Sequence, residues 1–402
     1  MLLKLKGDTM KQIKIYAEVL EDEALKQFND AMALECVVAG ALMPDAHTGY
    51  SLPIGAVVAV KDHVSPAFVG YDIGCGMCAV KLDLDYKEID KEYVFTKIYE
   101  SIPVGFKQHD SKKQVPISEN VSDIVSKHLE RKGVFQMGTL GGGNHFIEVG
   151  KGNDDKVWVI IHSGSRNIGH AVAEHYMKLA AKESINYDEH DQEFEDKNMT
   201  FKKHNYDGFN KAMLQNRTKI KTNIEGQYFF HSESENGKQY INDMNYCLEY
   251  ALENRKMMID KIIYILGNPK RLIFINRNHN HAELKDGLWI HRKGATHAED
   301  GMFGVIPANM RDGSFIVKGK GNKESLCSSS HGAGRVLSRS QAHKTLSMQD
   351  FKNTMVDVVA KVDSDTLDES PMAYKNIFEV MELQKDLVEI IDRVIPLINI
   401  KG

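Results

Sequence analysis

Seventeen histidines are present, and a group of them falls in turns rich in glycine or asparagine: GGGNHFIE (141–148), IHSGSRNIGH (161–170), NRNHNHAE (276–283), HRKGATH (291–297) and SSSHGAGR (328–335). A lone histidine is more often a surface or satisfied interior residue than a ligand. Several placed just after strand-like runs and beside glycine carry a different meaning. Glycine lets a backbone come close to a ligand, and the strand fixes the ring.

The stretch VGYDIGCGMCAV (69–80) adds two donors of another kind. Asp72 and Cys75 lie three apart in a glycine-flanked turn, a spacing that lets a carboxylate and a thiolate face one point. Together with imidazoles they suit Mn, Fe, Co or Zn and fit Mg or Ca poorly. Cys75 and Cys78 also form a CxxC pair, but a zinc knuckle needs a second Cys or His pair at matching spacing, and a redox dithiol needs a thioredoxin-like start. Neither is evident. SSSHGAGR supplies an imidazole nitrogen as a nucleophile, a loop of backbone N–H donors and a guanidinium for phosphate oxygens. HSGSRNIGH reads as a phosphate-binding turn entering a helix, with Arg166 toward the anion. Cys36, Cys247 and Cys327 read as small buried hydrophobes.

Elements must hold these turns. Short β-branched runs such as GAVVAV, RLIFIN (271–276), GLWIHR (287–292), MFGVIP (302–307) and SFIVKG (314–319) predict strands. Apolar spacing predicts a helix from Glu18 to about Ala39 with Gly40 as its stop, and a helical C-terminal region from about Met348. The polar stretch at about 171–266 reads as a mainly helical excursion packed outside the core. The expected fold class is α+β: one large domain over 1–402, with mixed β-sheets and surrounding helices. A two-domain split near residue 170 is the alternative.

Of 402 residues, 42% are hydrophobic and 27% charged, which excludes a disordered or low-complexity chain and supports a substantial core. Fifty-one Lys plus Arg against 56 Asp plus Glu leave a formal charge of -5, so a nucleic-acid partner needs a local basic patch. No signal-peptide pattern and no run of roughly 18 apolar residues occurs. With five sparse cysteines, the expected location is the reducing cytoplasm, with no membrane association.

The ordered set MPDAHTGYSLPIG, DIGCGM, GGGNHFIE, HSGSR, HN within NRNHNHAE, HRKGAT, SSSHGAGRVLSR and a final Lys-Gly resembles the RtcB family of RNA ligases over essentially the whole chain. The resemblance implies GTP- and Mn-dependent joining of RNA 3′-phosphate or 2′,3′-cyclic phosphate ends to 5′-hydroxyl ends, in tRNA splicing or RNA repair. It implies that His331 takes GMP and that two Mn ions share Cys75. Asp72 and His145 would hold one ion, and His162 and His279 the other. Asn144, Glu148, Asn280, Pro307, Ser314, Gly332, Ala333, Gly334 and Lys401 would form the guanylate site. Arg166 and Arg335 would meet RNA or phosphate, and archease is a partner of some members. Lys318, Lys320, Lys323, Arg335 and Arg339 surround the nucleophile loop and predict a basic groove.

Two departures stand out. PANMRDGS (307–314) replaces the family's PGSMG and following Ser, so Arg311 falls where a glycine is expected, while Ser314 fits. Ser51 replaces a frequent glycine after HTGY, which bears on a supporting role for Asp45 and His47. The same metal residues also allow a dinuclear metal-dependent phosphodiesterase or cyclic-phosphate hydrolase acting on RNA ends. Such an enzyme has no need of a nucleophilic His331. A binding protein that has lost catalysis would find support only in the altered loop.

Overall fold

Valine- and isoleucine-rich runs assemble into two larger sheets whose edges converge on the histidine turns. The computed structural model describes residues 11–117, 120–217, 220 and 222–402. The first sheet runs in the order Gln12–Ile15, Val37–Tyr50, Leu52–Lys61, Leu288–Lys293, Asn280–Lys285. The GAVVAV segment lies in its central strand and is buried throughout, as expected of a strand covered on both faces. The second sheet follows Phe303–Pro307, Ser314–Gly319, Val388–Lys401, Phe146–Lys151, Lys156–Ser163, Gly76–Asp85, Arg271–Asn278, with the short Val359–Ala360 added alongside Val388–Lys401. The chain passes from one sheet to the other between Asn278 and Asn280, which leaves His279 at the corner.

The mixed α+β architecture and the strands near 271, 287, 302 and 314 agree with the sequence reading. Two boundaries differ. The first helix is Asp22–Ala33, and the chain is already a strand at Val37. Gly40 is no helix stop: a Cβ there would meet Met32 Sδ at 2.5 Å, so this glycine lets the helix lie against the strand. The C-terminal region is only partly helical, with Met348–Thr354 and Ile377–Glu382 as short helices. It ends in the 14-residue strand Val388–Lys401, at the heart of the second sheet. Its β-branched residues favour that state, and Pro396 is accommodated at a register shift.

The excursion is helical, as its composition suggests, but it is not all peripheral. Tyr187–Lys197, Met199–His204 and Tyr206–Arg217 bury almost nothing. By contrast, Glu235–Ile265 is capped by Ser234, whose side chain accepts from Gly237 N, and buries Tyr240, Met244, Cys247, Ala251, Met258 and Ile262 at helical spacing. The upper half of this stripe joins the cluster over the first sheet, and its lower half joins the cluster over the second. No helix among the described residues is long and apolar enough to cross a membrane.

Candidate active site

Five donors from four segments meet where the strands of the second sheet end. Asp72 and Cys75 come from the turn before Gly76–Asp85, and His145 immediately precedes Phe146–Lys151. His162 is the penultimate residue of the neighbouring strand Lys156–Ser163, and His279 occupies the corner between sheets. Cys75, His162 and His279 form one convergent triad, and Asp72, Cys75 and His145 form another, with donor atoms within 4.8 Å of one another in each. Cys75 belongs to both.

Local hydrogen bonds fix which nitrogen each ring presents. His145 Nδ1 donates to the Leu140 carbonyl at 3.0 Å, and His162 Nδ1 donates to the Asn144 carbonyl at 3.2 Å. A carbonyl only accepts, so both Nε2 atoms are left with lone pairs. His162 Nε2 faces Cys75 Sγ at 3.1 Å and His279 Nε2 at 3.3 Å, while His145 Nε2 lies 3.0 Å from Asp72 Oδ2. Burial drives His162 and His279 well below the ordinary imidazole range. Burial and then the Asp72 carboxylate push the Cys75 thiol up. Buried lone pairs thus face one another around a reluctant thiol, a donor set that fits a pair of borderline divalent cations sharing a thiolate.

His331 follows the short strand Ser328–Ser330, and its ring lies 4.8 Å from that of His279. Its Nδ1 donates to Asp45 Oδ2 at 2.7 Å, and the same oxygen accepts from the backbone N–H of His331 at 3.1 Å and of Gly332 at 3.2 Å. Asp45 is fully buried. Burial opposes its charge, but His331 together with His47 and Ser330 outweighs this and holds the carboxyl below its ordinary value. The arrangement leaves His331 Nε2 available as a nucleophile on an oriented ring. Gly334 has φ +76°, and a Cβ there would meet the Asp45 carbonyl at 2.4 Å.

A cavity of about 280 Å³ opens over His162 and His331. Asn144, Glu148, Pro307, Gly332, Ala333, Gly334, Arg335 and Lys401 all line it, together with His47, Asn309, Arg339, Tyr374 and Asn399. Lys401 donates to Glu369 Oε2 at 2.8 Å and lies over the Phe146 ring. Arg335 reaches Glu369 Oε1 at 3.2 Å and the Asp368 carbonyl at 2.6 Å, and Arg339 also pairs with Asp368 and Glu369. Burial raises Glu148 to about 8, against weaker pulls from Ser314 and Lys401.

Some candidates stand elsewhere. Asn280 does not line the cavity; its amide donates to the Asp72 carbonyl at 3.1 Å and accepts from Gly294 N at 2.7 Å, bracing the metal turn. Ser314 lies beneath, paired across the strands with Pro307. Arg166 is outside the cavity and reaches Thr139 Oγ1 and the Gly105 carbonyl, each at 3.1 Å, with φ +60°. Of the residues expected to form a basic groove, Lys318, Lys320 and Lys323 do not line the cavity, whereas Arg335 and Arg339 do, each paired with carboxylates. Arg311 folds back onto Asp312 and leaves the lining to Ala308 and Asn309. Glu369, Asp368 and Tyr374 had no sequence signal: they come from an irregular stretch without a histidine or glycine motif. His281, Glu283 and His297 also converge, but His281 and Glu283 are partners of fully buried Arg292, and His297 pairs with Glu299.

Comparison with known proteins matches the family model described as tRNA-splicing ligase RtcB over residues 27–128 and 113–402. The chain belongs to the RtcB family. The RNA-splicing ligase RtcB of Escherichia coli (strain K12) is 32% identical over 396 aligned residues, covering 90% of each chain. The tRNA-splicing ligase RtcB of Nanoarchaeum equitans (strain Kin4-M) is 28% identical, covering 97% of this chain and 94% of its own. The tRNA-splicing ligase RtcB of Thermococcus kodakarensis is 25% identical, covering 100% and 95% respectively. Family membership therefore extends over nearly the whole chain, excursion included.

Proposed function

We propose that the chain is an RNA ligase that uses GTP and two Mn ions to join RNA 3′-phosphate or 2′,3′-cyclic phosphate ends to 5′-hydroxyl ends. The observation that carries this reading is a nucleophile-ready His331 set against two donor triads that share Cys75. Asp72 and His145 would hold one ion, and His162 and His279 the other. The ions would neutralise phosphate charge during phosphoryl transfer.

The chain's own residues supply the rest. Asp45 holds Nδ1–H of His331, so that Nε2 attacks the α-phosphorus of GTP and pyrophosphate leaves. The nucleotide stays on the enzyme as a histidine–GMP phosphoramidate. Asn144, Glu148, Asn399 and Lys401 offer polar contacts to the guanylate, while the Gly332–Ala333–Gly334 turn keeps side chains out of its way. An RNA 3′-phosphate then displaces His331, and a 5′-hydroxyl attacks the activated end and expels GMP. Archease is a candidate partner and the cytoplasm a candidate location.

Incubation with α-labelled GTP and Mn tests this. Wild type should retain one GMP, while His331→Ala and Cys75→Ala should retain none. Asp45→Asn should slow labelling by roughly 10²–10⁴-fold, because it disturbs the ring's tautomer and orientation. RNA-end processing that survives His331→Ala without labelling would instead establish the hydrolase.

A further inference from the structure

The helix Glu235–Ile265 lies in the excursion, yet its adjacent residues Asn254 and Arg255 are wholly buried against the turns that carry the donors. Arg255 Nη1 donates to the Gly74 carbonyl at 2.9 Å and the Ser163 carbonyl at 2.8 Å. Its Nη2 donates to Asn278 Oδ1 at 2.6 Å, and its Nε to Asn276 Oδ1 at 2.7 Å. Gly74 precedes Cys75, Ser163 follows His162, and Asn278 precedes His279. One planar guanidinium therefore holds the chain one residue away from every donor of one triad.

Asn254 acts on the other side. Its Oδ1 accepts from Gly138 N at 2.7 Å and Thr139 N at 3.1 Å, and its Nδ2 donates to Ser163 Oγ at 3.2 Å. Ser163 Oγ donates to the Leu140 carbonyl at 2.6 Å, the same carbonyl that orients His145. The helix leaves no slack against the turn: a Cβ on Gly74, at φ +76°, would meet Ala251 Cβ at 2.9 Å. Among the described residues no carboxylate forms an ion pair with Arg255. Burying such a charge is costly unless it is fully hydrogen-bonded, and the two carbonyls and two side-chain amide oxygens around Arg255 supply those bonds.

We propose that Arg255 and Asn254 are positioning residues for the two donor triads, Arg255 for Cys75, His162 and His279, and Asn254 for His145. This rests on the metal reading given above. Fixing several ligand-bearing segments from one rigid helix keeps the donors preorganised, and outer-shell partners of this kind affect metal affinity directly.

The test titrates metal-free, full-length protein with Co, reading bound ions per chain and the thiolate-to-metal absorption. Arg255→Lys keeps the charge but loses the planar fork. It should weaken the ion held by His162 and His279 by roughly 10- to 100-fold and the other by less, through the shared Cys75. Asn278→Ala leaves the helix untouched and removes one contact, and it should weaken the same ion by about 3- to 10-fold. In a His279→Ala background Asn278→Ala should cost nothing further. Wild-type affinity in both Arg255→Lys and Asn278→Ala overturns the proposal, as does a loss from Asn278→Ala that persists without His279. If Arg255→Lys does not fold, Asn278→Ala decides alone. Failure of wild type to show a Cys75-dependent absorption would instead remove the metal reading itself.

Discussion

His331 and Asp45 are separated by 286 positions, and their hydrogen bond orients the imidazole in its glycine turn for the proposed attack. Glu148 is the other residue whose surroundings change its chemistry. Burial raises it to about 8, whereas the unfolded chain releases that proton near the ordinary carboxyl value of 4.5. Between these limits the folded state binds more protons than the unfolded state, so stability falls as pH rises through the window. From pH 6 to 8 this contributes a loss of up to about 2–3 kcal/mol. Glu148→Gln should remove that slope, checked by thermal melts of both proteins without nucleotide. Subtracting the variant cancels other groups such as Lys293, which burial holds down to about 7 and whose slope has the opposite sign.

At the scale of elements, the nucleophile loop is a left-handed turn pressed onto the strand that carries Asp45. Gly334→Ala would force a Cβ into the Asp45 carbonyl in a backbone conformation that L side chains avoid, at a cost on the order of 1–3 kcal/mol. Gly332 has more room, its nearest obstacle being the Pro307 carbonyl at 3.4 Å. Melting temperatures should therefore fall further for Gly334→Ala than for Gly332→Ala, and GMP labelling of the former should fall with them. Strands such as Leu52–Lys61, Arg271–Asn278 and Ser314–Gly319 were readable because β-branched runs alternate with glycine turns. The final strand Val388–Lys401 was not, because its charged and apolar residues also fit a helix, and only its neighbours Ser314–Gly319 and Phe146–Lys151 select the extended state.

Across the whole molecule, the donor triads link segments far apart in the chain, from Asp72 to His279, and join the corner of one sheet to the other. Ions bound there and not to the unfolded chain stabilise the fold by mass action, about 2.7 kcal/mol per site at one hundred times the dissociation constant. Mn should therefore raise the melting temperature and a chelator should lower it. Cys75→Ala should lose most of this response, and Cys78→Ala should keep it, since Cys78 lies buried in the sheet core outside both triads. An equal response in the two variants would count against a shared thiolate.

Residue identity and spacing within a few positions were enough for the family, the donor types, the glycine loop around His331 and five of the strands. Tertiary structure alone decided that Arg311 turns away from the cavity, that Asn280 braces a turn, and that Glu369 meets Lys401 and Arg335. It also turned part of an apparently peripheral excursion into the support of the metal turns. Those outcomes depend on which distant segments pack together, and burial and hydrogen bonding between them leave no local periodicity in the chain.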